Sequence, residues 1–165
     1  MADDGRSPIG RRIGGTQIVS RVREILTVRL PVVIYVLVGL GLLVQGIRYL
    51  GAAELMPYHL AVIQTSWENL SADDQQLFLG LLKGFGAGSF GVGLAIILMA
   101  VIPLRGGKSW AFWTTPAIAL TYTAGLVYVT NFALLPGATP IAVSYVLLGL
   151  VASAAVSSFF ASKTG

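Results

Sequence analysis

Apolar residues run through four stretches of the chain, and the charged residues stand between them. Leu30 to Ile47 spans 18 positions without Asp, Glu, Lys or Arg, Gly84 to Ile102 spans 19, and Ser109 to Ser162 spans 54. A helix crosses the bilayer core with roughly 20 apolar residues, so the last stretch is too long for one crossing and fits two. Pro136, Gly137 and Pro140 in "LPGATP", residues 135–140, supply the break. The pattern predicts an all-α fold: a four-helix transmembrane bundle over residues 30–162, with spans at about 30–50, 77–102, 110–134 and 140–162 and an outer loop at 51–71.

Smaller elements are legible around the spans. Residues 1–15 mix Gly, Pro and charge with little to bury and predict a disordered basic tail. From residue 16 to 29, Ile18, Val22, Ile25 and Leu26 recur at helical spacing among Arg21, Arg23 and Arg29. This reads as an amphipathic juxtamembrane helix on anionic lipid headgroups, with an ordinary solvated helix end as the plainer alternative. In the outer loop, Pro57 opens a short interfacial helix with Leu60, Ile63, Trp67 and Leu70 on one face. Ser71 and Asp74 form an S-x-x-D cap for the helix that becomes span two.

Composition strengthens the membrane reading, because 55% hydrophobic and 11% charged is too apolar for an ordinary soluble domain. The absence of cysteine excludes disulfides and thiolate chemistry. The net charge of +4 matters through its arrangement. Six arginines precede span one, Arg105 and Lys108 lie between spans two and three, and Lys163 follows span four. Arg48 and Lys83 instead share their segment with Glu54, Glu68, Asp73 and Asp74. The positive-inside rule therefore predicts a multi-pass protein with both termini and the "PLRGGKS" turn on the cytoplasmic side, where Arg105 and Lys108 join Arg21, Arg23 and Arg29 at lipid headgroups. A cleaved signal peptide is the competing reading of the first span, but a polar lead of 29 residues is long for one.

The stretch "GLLKGFGAGSFGVG" contains a literal G-x-G-x-x-G at Gly86, Gly88 and Gly91. A dinucleotide loop must follow a strand and open a helix. These glycines lie inside a helix begun at Ser71, and no acid follows about 20 positions on. "RGGKS" likewise lacks the first glycine of a P-loop. Projected at about 100° per residue, Gly80, Gly84, Ala87, Gly88, Gly91 and Ala95 fall on one arc. That arc predicts a helix-packing seam, expected within the chain, with Gly149, Ser153 and Ser157 of span four as a partner surface. Gly86, Gly93 and Ala100 make a second, weaker stripe on roughly the opposite side.

Candidate chemistry is sparse. His59, the sole histidine, stands beside Tyr58 and can be read as a haem or metal ligand, as a proton-handling group with Glu54 or Glu68, or as an interfacial polar residue. A lone histidine without a second ligand favours the last, so no metal or other cofactor is expected. Tyr58, His59 and Trp67, with Arg48, Glu54 and Lys83, are the candidate ligand-binding residues at the outer interface. The spans hold hydroxyls and amides but no ionised group, which argues against a proton-coupled pump. No nucleophile and base, paired carboxylates or phosphate loop is visible, so no enzyme is expected. Nucleic acid is not an expected partner; the bilayer, a second copy or a larger membrane complex is.

The order "MPYHLAVIQTSWENL", "LFLGLLKGFGAGSFGVGL", "PLRGGKSWAFW" resembles small uncharacterised four-span bacterial integral membrane proteins and, more distantly in architecture, DoxX-like proteins. The resemblance covers roughly residues 55–115. It implies a bacterial cytoplasmic membrane setting and transfers no catalytic residue. The expected function is that of a non-enzymatic structural or accessory protein acting by helix packing. The alternative is binding or transport of a small apolar or amphiphilic molecule, such as a quinone, lipid or haem, near the outer interface.

Overall fold

The computed structural model describes residues 29–134, 136 and 138–162. The expected tail at 1–15, all of the amphipathic helix expected at 16–29 except Arg29, and Lys163 lie outside the described residues. Within them the fold is all-helical: α1 (Leu30–Leu50), α2 (Pro57–Ile63), a 3-10 turn (Trp67–Asn69), α3 (Ala72–Met99) continuing into a π turn (Ala100–Leu104), α4 (Ala111–Ala133) and α5 (Thr139–Ser162).

Local chemistry explains the boundaries. Pro31 lies in the first turn of α1, where no intrahelical N–H is lost. Ser71 caps α3: its Oγ accepts the Asp74 N–H at 3.2 Å, and its hydroxyl donates to the Asp74 carboxylate at 2.6 Å. The outer loop departs from the sequence expectation. One helical face from Leu60 through Leu70 does not form, because Gln64 turns left-handed at φ 52° and ends α2. Leu60 and Trp67 still reach the core, while Ile63 is exposed. The π turn was not anticipated; it surrounds Pro103, whose missing N–H breaks the regular ladder.

Three helices are long and apolar enough to cross a membrane: Leu30–Leu50, Ala72–Leu104 and Thr139–Phe160. At 1.5 Å per residue the 21 residues of α1 reach about 32 Å, close to the ~30 Å hydrocarbon core. Helix α4 has the length, 23 residues. It is not among those three, and Thr114, Thr115, Thr121, Tyr122, Thr123, Tyr128, Thr130 and Asn131 lie along it. Many large apolar side chains point outward, among them Leu37, Val44, Leu81, Ile102, Val146 and Phe132, the last 82% exposed. Helix α1 is apolar on every side, a pattern that suits a hydrocarbon surround.

Packing follows the order α3, α1, α5, α4, with neighbouring helices antiparallel. Gly39 meets Gly93 and Gly46 meets Gly86 between α1 and α3. Trp113 stacks edge-on against Phe159 between α4 and α5 at 5.4 Å, and the Thr130 and Ser144 hydroxyls bond at 3.0 Å farther along. One end of the fold therefore gathers the start of α1, the Arg105–Lys108 turn and the end of α5. The other end gathers Tyr49, α2 and the start of α3. The main core is built from Tyr35, Val38 and Leu42 of α1, Ile96 of α3, Phe112 and Ala119 of α4, and Val151 and Ala154 of α5. Phe112 is thus core, whereas Trp110 and Trp113 remain more than half exposed.

Candidate functional site

Two features stand apart from the core: a face of α3 that no described residue covers and an aromatic cap at the α2 end.

The close-packed seam inside the chain uses the other small stripe of α3. A Cβ on Gly93 would lie 2.7 Å from the Gly39 carbonyl oxygen, and one on Gly86 would lie 2.8 Å from Tyr49 Cβ. From the α1 side, a Cβ on Gly46 would lie 2.8 Å from the Gly86 oxygen. Only glycine allows backbones to approach so closely. Among the described residues nothing lies within 4 Å of a Cβ built on Gly80, Gly84, Gly88 or Gly91, so the seam expected there is not formed by them. Ala87 is exposed and Ala95 half-buried. The buried positions of α3 are Leu82, Gly86, Ser89, Gly93 and Ile96. The outward stripe is centred about 180° from them around the helix. It opens at its start into a shallow groove lined by Asp73, Gln76, Leu77, Gly80 and Leu81.

The proposed partner surface on α5 is corrected in the same way. Gly149 has nothing within 4 Å of a built Cβ, Ser153 is exposed and Ser157 half-exposed. Their hydroxyls donate to carbonyls of their own helix, Ser153 to Leu150 at 2.8 Å and Ser157 to Ser153 at 3.1 Å, instead of crossing to α3. Between α3 and α4 the cross-link is Ser89 Oγ to Tyr122 Oη, 2.5 Å apart.

The cap is built on Tyr49 at the end of α1, Leu55 and Leu82, with Met56, Leu60, Trp67, Phe78 and Phe85 packed around them. The Tyr49 ring lies 5.7 Å from Phe85, and its phenol shares a 2.7 Å hydrogen bond with Tyr58. His59 sits edge-on to Tyr58 at 4.4 Å and 6.3 Å from Tyr49. Gln75 holds the 3-10 turn to α3, donating to the Trp67 carbonyl at 2.9 Å. The fold therefore brings Tyr58, His59 and Trp67 to one place through Tyr49, a residue the sequence reading passed over. Its signal was an aromatic side chain at a span end, nine positions before Tyr58.

Electrostatics make this cap neutral. Burial lowers the His59 pKa, which keeps the ring uncharged near neutral pH. Burial and then the Tyr49 hydrogen bond push the Tyr58 phenol far above the usual tyrosine range. Two phenols sharing one bond leave one O–H to donate, and the buried His59 Nδ1 meets no partner. Neither Glu54 nor Glu68 bonds to it. The Glu68 carboxylate is held ionised, first by its own backbone N–H and then by the Ser66 hydroxyl.

No ion pair joins Arg48 to Glu54 or Lys83 to Asp74 among the described residues. Arg48 donates to Met56 Sδ at 3.6 Å rather than to Glu54, and Asp74 bonds Ser71 rather than Lys83. Arg29, Arg105 and Lys108 lie exposed at the opposite end. No group of three or more His, Cys, Asp or Glu side chains among the described residues could hold a metal ion. The chain matches no family model, curated protein or solved structure, so its residues and geometry carry the functional reading.

Proposed function

We propose that this is a four-span membrane protein of structural or accessory type, working by lateral helix packing with a second copy or a larger membrane complex. The supporting observation is the outward stripe of α3, which keeps glycine where the chain's own fold imposes no steric need for it. A backbone without side chains offers close approach to a neighbouring helix, and van der Waals packing is a main source of helix association in lipid. The basic residues Arg29, Arg105 and Lys108 at one end support an arrangement with both termini on the cytoplasmic face of a bacterial membrane. The neutral interior, with hydroxyls such as Thr123 bonded to a carbonyl of its own helix and Thr130 to Ser144, supports a non-enzymatic role.

Native mass spectrometry of the gently extracted protein tests this reading with Gly84→Leu combined with Gly88→Leu. Both side chains enter open space, so the chain itself still folds. The expected result is a mass above that of one chain for the unaltered protein and a single-chain mass for the variant. Equal masses for the two would defeat the packing role.

A second reading is favoured by the partnerless His59 Nδ1 beside the Tyr49–Tyr58 pair: the cap binds a small apolar or amphiphilic molecule, such as a quinone, lipid or haem, that accepts or donates one hydrogen bond. A small, reproducible mass increment lost in His59→Ala would support it.

A further inference from the structure

We propose that Tyr35, Thr115 and Ser158 hold one buried water molecule that joins α1, α4 and α5 at the Arg105 end of the fold. All three side chains are fully buried, and none of their hydroxyl oxygens meets a hydrogen-bond partner in the protein. The Tyr35 phenol stands beside the Ser158 hydroxyl without closing a bond to it.

Thr115 belongs to the same level. The Trp113–Phe159 ring contact sets the register of α4 against α5. Thr115 is two residues inward of Trp113 and Ser158 one residue inward of Phe159, so their heights differ by about 1.5 Å. Thr115 also stands between Ala111 and Ala119, which share the core with Tyr35.

A fourth polar group lies in the same turn. Pro116, inside α4 and buried, has no N–H to give to the Phe112 carbonyl. Three hydroxyls and a carbonyl freed of its helical donor match the two donors and two acceptors of water. Buried waters typically make two to four such bonds. The neighbouring side chains Ala111, Ala119 and Ala154 are short. Among the described residues no charged side chain is buried, so an ion would find no counter-charge there.

The experiment uses the full chain in lipid nanodiscs, with selectively labelled Tyr and Thr. The expected result is magnetisation transfer from a long-lived water to the Tyr35 ring and the Thr115 methyl group. Tyr35→Phe, Thr115→Val and Ser158→Ala are each expected to lower the unfolding midpoint, and the triple variant to lower it by no more than the worst single change. Removing the three hydroxyls together leaves no orphaned hydroxyl behind, only the Phe112 carbonyl. Absent transfer with additive midpoint shifts would overturn the proposal, because each hydroxyl would then be served by its own helix. Coupling between Tyr35 and Ser158 with Thr115 independent would overturn it in favour of a direct bond. If the triple variant fails to fold, the transfer signal in the unaltered protein decides alone.

Discussion

The two faces of α3 carry the same kind of residue and do different things. On one face Gly86 and Gly93 lie against the backbone of α1, so close that any Cβ would collide. On the other, Gly80, Gly84, Gly88 and Gly91 face open space. A glycine is therefore not a packing residue by composition. It becomes one when a second backbone arrives, and here that backbone belongs to α1. The outward face has the same capacity without a partner among the described residues, which is why its role is proposed between molecules.

The largest test of this contrast is Gly93→Ala. Its Cβ would sit 2.7 Å from the Gly39 carbonyl oxygen and 3.0 Å from Leu42 Cβ and Leu43 N. Forced separation of α1 and α3 should lower stability by about 1–3 kcal/mol, the range of core overpacking. Thermal unfolding in detergent would read it, and an unchanged midpoint would mean that α1 and α3 are farther apart than described.

The same exchange on the other face should reverse sign. Gly80→Ala meets nothing within 4 Å and replaces a poor helix former with the best one. A gain of about 0.5–1 kcal/mol is expected in the isolated chain. A loss of similar size there would show that α3 is packed on both sides.

The smallest effect concerns the cap near the start of the same helix. Burial lowers the His59 pKa in the folded chain, while the unfolded chain keeps a value near 6.5. The unfolded state therefore binds the proton more readily at acid pH. Stability from this group is complete above pH ~6.5 and declines as pH falls through that value toward the lower folded pKa. Unfolding midpoints measured from pH 7.5 down to 5.5 should fall slightly, and His59→Gln should flatten that part of the profile. An unchanged slope in the variant would remove His59 from the cap.

The candidate site was partly legible. Tyr58, His59 and Trp67 were picked as outer-interface residues because aromatic and polar groups cluster in one short loop. Tyr49 was passed over because it ends an apolar run and looks like any interfacial aromatic until its phenol meets Tyr58. The buried hydroxyls of Tyr35, Thr115 and Ser158 sit on three helices far apart in the chain, so no spacing rule links them.

Local chemistry, readable from sequence, determined where the long helices run, where Pro31 and Ser71 start them, and how the charges divide between the two ends. These features depend on a residue and its near neighbours. Tertiary structure alone decided which face of α3 turns inward. An amphipathic helix announces its buried face, but α3 is apolar nearly all round beyond its first turns and carries small residues on opposite sides. The choice came from the partner. Gly39 and Gly46 stand seven apart on α1, as Gly86 and Gly93 do on α3, and two antiparallel backbones can close together only where those four positions coincide.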